Sequence, residues 1–531
     1  MNIIDDNKFK EIFPFPSARK GQREIIEKII NAFESGKTYV ILSAPTGTGK
    51  SCIGYAVARY YENSYILTSQ KTLQEQYYKD FNIPYVLGQE NYNCSRNSSL
   101  TCANGVCKSS GLKNCHNCPD CEYKINQDIC FDSPHSNLNY SYFLCSLLYT
   151  GKILPRELII CDECHNCENE LINQFTITIN DNFLKMLNDT YIELPEYSKS
   201  NYEKCKWLID DFYNKIKDTY KKINGKLRSS EFKTEKKQKT KKFITLMNKF
   251  NIIDNYYKKL ESFKQIINNE KIIVTQDVIS NSIEFKLLHA NKLFNNTIAK
   301  TSNRVLFMSA TVLNWKVFIK NLGINEDDVE YIECECQFPV ENRPIYYRPV
   351  NSMSYKNKHD TMPKMIKAIY TILKKYKNVK GIIHTVSYDV AQSIKENLSF
   401  SDQGYRLILP TNKTKKIDLE RFEKSKEPKI LISPSLTEGI DLKDDLSRLC
   451  IICKIPFPNL NNNWIKAKKQ EDINWYINQT CTTLIQMIGR SVRSETDYAK
   501  TYILDKDFEI LCKNGPQIFP KYFIEALDVN Y

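Results

Sequence analysis

Short apolar runs alternate along the chain with segments whose apolar residues recur every three or four positions. Runs of four to eight apolar, β-favouring residues predict buried strands, and the longer spacing predicts amphipathic helices. The predicted strands form two groups: 39–44, 64–69, 158–161 and 305–309 in the first, and 381–385, 406–410, 429–433, 448–455 and 501–504 in the second. Strands that alternate with helices favour parallel sheets, so the pattern predicts two α/β units in tandem.

The segment between the two last strands of the first group has a different texture. Residues 171–298 are rich in Lys, Asn and Tyr, and their apolar residues keep a helical spacing. One predicted face holds Ile209, Phe212, Tyr213, Ile216, Tyr220 and Ile223, and another holds Phe243, Leu246, Phe250, Ile253, Tyr257 and Leu260. We therefore expect an inserted helical subdomain, whose lysines form either a solvated surface or a nucleic-acid contact.

Composition narrows the class of protein. The chain has 531 residues, 42% hydrophobic and 26% charged, which excludes global disorder and exceeds what one core of about 100–200 residues covers. No apolar run approaches the roughly 20 residues of a membrane span, and the first residues lack the apolar stretch of a secretory signal. We expect an intracellular protein that does not enter a membrane and whose thiols stay reduced.

The charge balance points weakly to a partner. The 75 Lys and Arg residues outnumber the 62 Asp and Glu residues, for a formal net charge of +13. An excess of positive charge on a protein of this size favours a polyanionic partner, although many basic proteins bind no nucleic acid.

A glycine-rich loop follows the first predicted strand and precedes a predicted helix. It consists of Ala44, Pro45, Thr46, Gly47, Thr48, Gly49, Lys50 and Ser51. In this context the glycines let backbone N–H groups face a phosphate, the lysine supplies a positive charge, and the serine hydroxyl can bind Mg²⁺. The loop therefore predicts an ATP site; a chance Gly-Lys-Ser turn is the alternative.

A second strand, 158–161, ends in two adjacent carboxylates. Asp162 would reach the Mg²⁺ and Glu163 the attacking water, which is the division of labour that phosphoryl transfer from ATP requires. His165 is interpreted as a residue that couples the ATP site to a nucleic-acid site. The spacing of Cys161, Cys164 and Cys167 also fits a metal site, which is the weaker interpretation.

Further motifs follow in a fixed order. They are Arg19-Lys-Gly-Gln22, the segments 68–76 and 309–311, the segment 433–442 with Gly439 and Asp441, and the segment 486–493 with Gln486, Arg490 and Arg493. Together with the glycine-rich loop and the two adjacent carboxylates, this set resembles the XPD/DinG family of superfamily 2 helicases, which carry an iron–sulfur cluster. The resemblance extends over nearly the whole chain.

The resemblance implies a domain plan. The first RecA-like domain would comprise residues 1–90, 131–170 and 299–335, and residues 336–531 would form the second. Residues 91–130 would be a cysteine-rich, metal-binding excursion, and residues 171–298 an inserted, arch-like helical subdomain. Gln22 would read the adenine base, and Gly439 and Asp441 would contribute to the nucleotide site from the second domain.

The segment 486–493 also has a physical interpretation. On a helix, Gln486, Gly489, Arg490 and Arg493 lie three or four residues apart and share one face. If that face points across a cleft between the domains, an arginine there can act as an arginine finger, worth about 10³–10⁵ in rate. A surface helix with two ordinary arginines is the alternative.

The cysteines are unevenly distributed. Of 19 in the chain, seven crowd into one stretch: Cys94, Cys102, Cys107, Cys115, Cys118, Cys121 and Cys130. In a reducing compartment this crowding indicates metal ligation.

The resemblance implies a [4Fe–4S] cluster held by four of these cysteines, whose flanks match the family at Cys94 and Cys121. We predict Cys94, Cys107, Cys115 and Cys121 as ligands, with Cys102 and Cys118 as alternates. A Zn²⁺ site is the main rival, because the spacing within 115–121 also fits a zinc knuckle, and free thiols are a third possibility.

The resemblance implies an ATP-dependent helicase that unwinds DNA at duplex junctions by moving 5′ to 3′ on a single strand. An RNA helicase of the DEAH type is one alternative, although the cysteine-rich excursion argues against it. The other is a nucleic-acid-remodelling ATPase that does not unwind processively. The sequence identifies no protein partner.

Overall fold

The computed structural model of the protein describes residues 4–105, 118–187, 192–229, 241–267, 270–411, 413–434, 442, 444–492 and 496–529. Within these ranges no helix combines the length and the apolar composition that crossing a membrane would require.

The first part of the chain alternates strands and helices around one sheet. Its strands are β1 (Tyr39–Ser43), β2 (Ser64–Thr68), β3 (Asn93–Cys94), β4 (Asn97–Thr101), β5 (His135–Asn139), β6 (Leu158–Asp162), β7 (Ile177–Ile179), β8 (Ile272–Asp277), β9 (Ser282–Leu287), β10 (Val305–Ser309) and β11 (Val329–Glu333). Its helices are α1 (Asp6–Ile12), α2 (Gln22–Glu34), α3 (Lys50–Tyr60), α4 (Lys71–Phe81), α5 (Glu122–Asp132), α6 (Tyr140–Thr150), α7 (Cys167–Phe175), α8 (Asp181–Met186), α9 (Asn201–Trp207), α10 (Tyr213–Arg228), α11 (Lys241–Ile266), α12 (Asn291–Asn296), α13 (Ile298–Thr301) and α14 (Trp315–Leu322).

The second part repeats the alternation. Its strands are β12 (Ile345–Asn351), β13 (Gly381–His384), β14 (Leu407–Ile408), β15 (Ile430–Ser433), β16 (Leu449–Ile452), β17 (Lys500–Asp505) and β18 (Leu527–Asp528). Its helices are α15 (Lys358–Lys375), α16 (Tyr388–Leu398), α17 (Lys415–Lys424), α18 (Asn463–Glu471), α19 (Ile473–Ile488), α20 (Phe508–Asn514) and α21 (Lys521–Ala526).

Each part builds one parallel sheet. The first has the order β11-β1-β10-β6-β2-β5, and the second has the order β14-β15-β13-β16-β17-β12-β18. All residues of β2, β6 and β10 are buried, which explains their continuous apolar sequence. The predicted fold class, two parallel-sheet α/β units in tandem, is confirmed.

The sequence pattern does not predict the strands at three sheet edges. β5 and β11 border the first sheet, and β12 and β18 lie at one side of the second. β5 has the polar sequence His-Ser-Asn-Leu-Asn, whose buried Ser136 hydroxyl accepts a hydrogen bond from Arg156. An edge strand satisfied by such polar contacts needs no apolar run, so periodicity does not reveal it.

The strand register gathers the predicted motifs at one edge of the first sheet. Ser43 lies opposite Ser309, and Asp162 lies opposite Met308. Because all strands are parallel, the segments that follow β1, β6 and β10 emerge side by side. The glycine-rich loop, the two carboxylates and the segment 309–311 are therefore neighbours.

The inserted segment is only partly helical. α10 and α11 contain most residues of the two predicted faces, and Tyr220 of α10 stacks on Phe250 and Tyr257 of α11. A three-stranded antiparallel sheet, β7-β9-β8, stands beside them. The expected helical subdomain thus also contains strands that the helical spacing does not predict, and β9 alternates buried and partly exposed residues with a period of two.

A buried group of charges joins the two α/β units. Lys468 of α18 places its Nζ atom 2.5 Å from Oε1 of Glu168 in α7 and 3.0 Å from Oδ1 of Asn321. The indole Nε1 of Trp475 donates to the other oxygen of Glu168 at 3.0 Å. Glu168 is 6% exposed and Lys468 is 2% exposed. We call these four residues the interdomain ion cluster.

We predict that Lys468→Met destabilises the docking of the two units by about 3–5 kcal/mol, because it leaves the Glu168 carboxylate buried without its charge partner. Urea unfolding monitored by tryptophan fluorescence measures the change, since Trp475 lies in the cluster.

Lys320→Met is the matched control. Lys320 also bridges the units, 2.8 Å from Asp472, but its side chain is 70% exposed. An exposed ion pair contributes about 0–1 kcal/mol. Equal effects of the two substitutions would contradict the importance that we assign to the cluster.

Candidate functional site

The glycine-rich loop has the backbone geometry that its sequence predicts. Gly47 and Gly49 have positive φ angles of 86° and 81°, which side chains disfavour. A Cβ atom on Gly49 would also lie 2.4 Å from Nε2 of Gln22. α3 begins directly after the loop at Lys50, so its free N–H groups face the loop.

Lys50 folds back over the loop. Its Nζ atom donates to the carbonyl of Ala44 at 3.0 Å and to that of Pro45 at 3.5 Å. The loop itself is tied to β10, because the Ala44 N–H donates to the Ser309 carbonyl at 3.0 Å. The ammonium group is thus held at the position where phosphate oxygens can replace the carbonyls as its partners. We call the glycine-rich loop, residues 44–51, the phosphate loop.

Gln22 lies beneath the loop and braces it. The side chain is 4% exposed; its Nε2 donates to the Thr48 carbonyl at 3.0 Å, and its Oε1 accepts from the Arg19 N–H at 2.9 Å. Arg19 in turn donates to the Gly47 carbonyl at 2.8 Å. Gln22, the residue predicted to read adenine, therefore supports the phosphate loop. Its Nε2 carries a second N–H in addition to the one donated to Thr48.

Asp162 ends β6 as a buried carboxylate that is 3% exposed. Burial, followed by the neighbouring charge of Glu163, raises the pKa of Asp162 to about 6, against the opposing charge of Lys50. A buried carboxylate beside a second one is a suitable ligand for a divalent cation. With Ser51 it forms a donor set that fits Mg²⁺.

Tyr77 is a site residue that the sequence analysis did not identify. Its hydroxyl donates to Oδ2 of Asp162 at 2.9 Å and also contacts Ser51. Burial holds the pKa of Tyr77 well above its ordinary value, so the phenol remains a donor. No local pattern marks this tyrosine, because its partner lies 85 positions away.

Glu163 and His165 belong to a hydrogen-bond chain that crosses between the units. Gln486 Nε2 lies 2.7 Å from His165 Nε2, His165 Nδ1 lies 2.8 Å from Ser309 Oγ, and Ser309 Oγ donates to Glu163 Oε2 at 3.4 Å. The amide nitrogen of Gln486 can only donate, so Nε2 of His165 accepts and the ring carries its proton on Nδ1. Nδ1–H then donates to Ser309, whose hydroxyl donates to Glu163. We call these four residues the cross-cleft chain.

The cross-cleft chain borders a cleft of 830 Å³ between the two units. The phosphate loop, Asp162 and Glu163 line one wall, and the end of α19 with Gln486, Gly489 and Arg490 lines the other. The structure therefore brings together residues that lie more than 300 positions apart in sequence. Gly439, Asp441 and Arg493 lie outside the described residues.

The cysteine-rich excursion is described in part. Cys94 (in β3), Cys102, Cys118 and Cys121 are all buried, whereas Cys107 and Cys115 lie outside the described residues. The sulfur atoms of Cys102 and Cys121 lie 3.9 Å apart, and Gly105 approaches Cys94 so closely that a Cβ there would lie 3.2 Å from its sulfur. Within the described part, no three potential ligands converge closely enough to hold a metal ion.

The remaining cysteines near the site are core residues. Burial raises the pKa of Cys130 to about 12, and its thiol donates to the Pro84 carbonyl at 3.6 Å. Burial also holds the pKa of the Cys164 thiol well above its ordinary value. Both thiols therefore stay protonated at neutral pH.

The sequence matches two protein families, one in each unit. Residues 16–194 match the family described as type III restriction enzyme, res subunit, and residues 369–525 match the helicase C-terminal domain.

Curated relatives are ATP-dependent helicases. A probable ATP-dependent helicase of Methanocaldococcus jannaschii is 25% identical over 94% of this chain and 93% of its own length. The ATP-dependent DNA helicase CHL1 of Kluyveromyces lactis is 23% identical over 43% of this chain, which spans about a third of that relative, 32% of its length.

A solved XPD helicase has the same fold. It superposes with a TM-score of 0.66 at 18% identity and covers 95% of this chain and 99% of its own. The fold of two RecA-like domains, the two family matches and the helicase relatives agree with the site geometry. Together, the family matches, the helicase relatives and the XPD-like fold support an XPD/DinG-like superfamily 2 ATP-dependent helicase.

Proposed function

We propose that this helicase hydrolyses ATP in the cleft between its domains and uses the energy to move 5′ to 3′ along single-stranded DNA, opening duplex junctions. The observation that carries the proposal is the cross-cleft chain. It links Glu163, beside the phosphate loop, to Gln486 on the other domain through two intervening side chains.

The residues at the cleft divide the chemistry of hydrolysis. The phosphate loop and Lys50 hold the β- and γ-phosphates, and Ser51 and Asp162 would hold Mg²⁺. The metal, when bound, offsets charge that develops on the phosphate oxygens. Glu163 orients the attacking water and accepts its proton. Arg490 stabilises the charge of the transition state from the opposite wall.

The cross-cleft chain gives hydrolysis a mechanical consequence. Its bond from Gln486 to His165 can form only when the two domains are docked, as they are here. Opening the cleft removes the proton donor from His165 and frees Ser309 and Glu163 to reorient. Domain opening and the orientation of the Glu163 carboxylate are therefore linked. A helicase that binds and releases a strand in alternation needs such a link between domain movement and hydrolysis.

The choice of DNA rests on two supports. The CHL1 and YoaA relatives are named DNA helicases. The net charge of +13 also favours a polyanion. The direction of movement comes from the family resemblance.

We also propose that the cysteine-rich excursion holds a [4Fe–4S] cluster. Cys94 and Cys121 remain the proposed outer ligands, with Cys107 and Cys115 as the inner pair. The 3.9 Å distance between the sulfur atoms of Cys102 and Cys121 supports Cys102 as an alternate ligand, and the buried Cys118 is the other alternate. Four thiolates are the donor set that such a cluster requires, and the same set also suits Zn²⁺.

The first prediction tests hydrolysis. Lys50→Ala and Glu163→Gln should each lower strand-stimulated ATP turnover by about 10²–10⁴-fold, because one removes a phosphate ligand and the other the base. A phosphate-release assay measures turnover, and circular dichroism verifies the fold. Lys79→Ala, an exposed lysine of α4, is the control that should retain full turnover. Near-normal activity of either site variant would refute the proposed mechanism.

A second prediction concerns the strand. Duplexes with a 5′ single-stranded DNA tail should be unwound, whereas duplexes with a 3′ tail should not. Binding should prefer single strands and weaken with salt, with about 0.7 ions released per neutralised phosphate. Unwinding confined to 3′-tailed DNA would overturn the direction, and unwinding confined to RNA would favour the DEAH-type alternative.

A third prediction concerns the metal. Protein purified without oxygen should contain iron and sulfide and should absorb visible light, and Cys121→Ser should lose both signals. Cys130→Ser is the control, since that buried thiol lies against Pro84 and should leave the iron content unchanged. Single Cys→Ser changes at 102, 107, 115 and 118 identify the inner ligands by iron content. Stoichiometric zinc without iron would replace the cluster by a zinc site.

A further inference from the structure

A buried histidine stands at the cleft edge of the second sheet. His384 is the last residue of β13, paired with Ser433 of β15 on one side and with Ile452 of β16 on the other. It is 1% exposed. The strand ends on both sides lead toward the cleft, so His384 lies behind the wall that carries Gln486 and Arg490.

The imidazole of His384 is only half satisfied. The ring makes a hydrogen bond with the backbone of Met487, near the end of α19. Its Nε2 atom is buried and has no hydrogen-bond partner among the residues that the structure describes. A buried polar atom without a partner is costly, and native proteins retain such atoms where they have a use.

Arg490 follows three residues after Met487, the residue that the ring contacts, and its charge acts on His384. Burial, and then the positive charge of Arg490, lowers the pKa of His384 to about 3, so the ring is neutral at any working pH. A neutral ring that donates Nδ1–H to the Met487 carbonyl presents a lone pair on Nε2. The nearby Arg490 guanidinium carries only donors, which makes it the complementary group.

We propose that His384 is a positioning residue for Arg490: its Nε2 lone pair accepts a hydrogen bond from the guanidinium and aims it at the γ-phosphate. The same ring donates a hydrogen bond to the carbonyl of Met487, three residues before the arginine. This bond fixes the backbone from which Arg490 projects. The inference rests on the proposed role of Arg490 in hydrolysis. It adds a residue from β13 to a catalytic wall otherwise built by α19 and the residues that follow it.

Two substitutions separate the two halves of the ring. In His384→Asn the amide can still donate to the Met487 carbonyl, but no acceptor reaches the Nε2 position. In His384→Gln the longer side chain can place an acceptor there. We expect His384→Asn to lower kcat for ATP about tenfold to hundredfold, the effect of losing one hydrogen bond to a charged group, with KM changed less than about twofold. His384→Gln should recover most of that loss.

The matched control is His359→Asn, which changes a fully exposed histidine of α15 and should leave kcat and KM unchanged. Thermal unfolding of all variants tests folding. A structural role alone would lower the unfolding midpoint of His384→Asn without the selective loss of kcat and without recovery in His384→Gln.

A double-variant cycle with Arg490→Ala distinguishes the inference from the proposed function. If His384 acts through Arg490, adding His384→Asn to Arg490→Ala should cause no further loss of kcat. A further full loss in that background, or normal kcat in His384→Asn alone, would overturn the inference while leaving the role of Arg490 intact. Normal kcat in Arg490→Ala alone would instead overturn the role of Arg490, and the inference with it.

Discussion

A polar stripe on helix α19, next to the interdomain ion cluster, joins the two domains along the cleft. Residues three or four positions apart on this helix face the first domain. From one end of the helix to the other they are Trp475, Asn478, Thr482 and Gln486, and they bond in turn to Glu168, the Asn314 N–H, the Thr311 carbonyl and His165. Each partner lies on a segment that follows β6 or β10. One wall of the cleft therefore forms where this helix meets the C-terminal edge of the first sheet.

The two ends of the stripe differ in the free energy that separating their contacts costs. At the Trp475 end, the interdomain ion cluster is almost dry, and separating Lys468 from Glu168 would leave both charges in a poor solvent. At the Gln486 end, the bonds run between neutral groups beside an 830 Å³ cleft into which water can enter. Exchanging these bonds for bonds to water costs little. A rotation that opens the cleft is therefore expected to pivot near the ion cluster and to break contact first at Gln486.

The phosphate loop and the adjacent carboxylates Asp162 and Glu163 could be predicted because their geometry is local. Gly47, Gly49 and Lys50 sit between a strand and a helix that the hydrophobic pattern reveals, and Asp162 ends a strand that is buried throughout. The stripe could not be found in this way. Asn478 and Thr482 are ordinary polar residues in a helix, and their partners lie more than 160 positions away.

The same limit applies to the edge strands and to single buried groups. β5 is polar and satisfied by side-chain bonds, so the pattern gives no signal there. In the sequence His384 is the end of an apolar strand, and its hydrogen bond to the backbone of Met487 in α19 appears only in the structure. Among the cysteines, sequence spacing cannot tell which sulfur atoms lie close together: Cys102 follows β4 and Cys121 precedes α5, yet their sulfur atoms lie 3.9 Å apart.

The backbone at Glu163 helps to fix the position of its carboxylate at the cleft. Glu163 has a φ angle of 47°, a left-handed conformation that a side chain adopts only when its surroundings impose it. Its N–H donates to Oδ1 of Asp162 at 2.9 Å, which fixes the turn. Its carboxylate is held by Ser309, whose hydroxyl is held by His165.

Three of these contacts lie within the first domain, but the last donor in the series is Gln486 of the second. Without that donor, the tautomer of His165 with its proton on Nδ1 is no longer selected, and Ser309 keeps the Thr311 N–H as a donor but no longer has a fixed one in His165. The Glu163 carboxylate is therefore linked, through Ser309 and His165, to a residue of the second domain that contacts His165 only when the domains are docked.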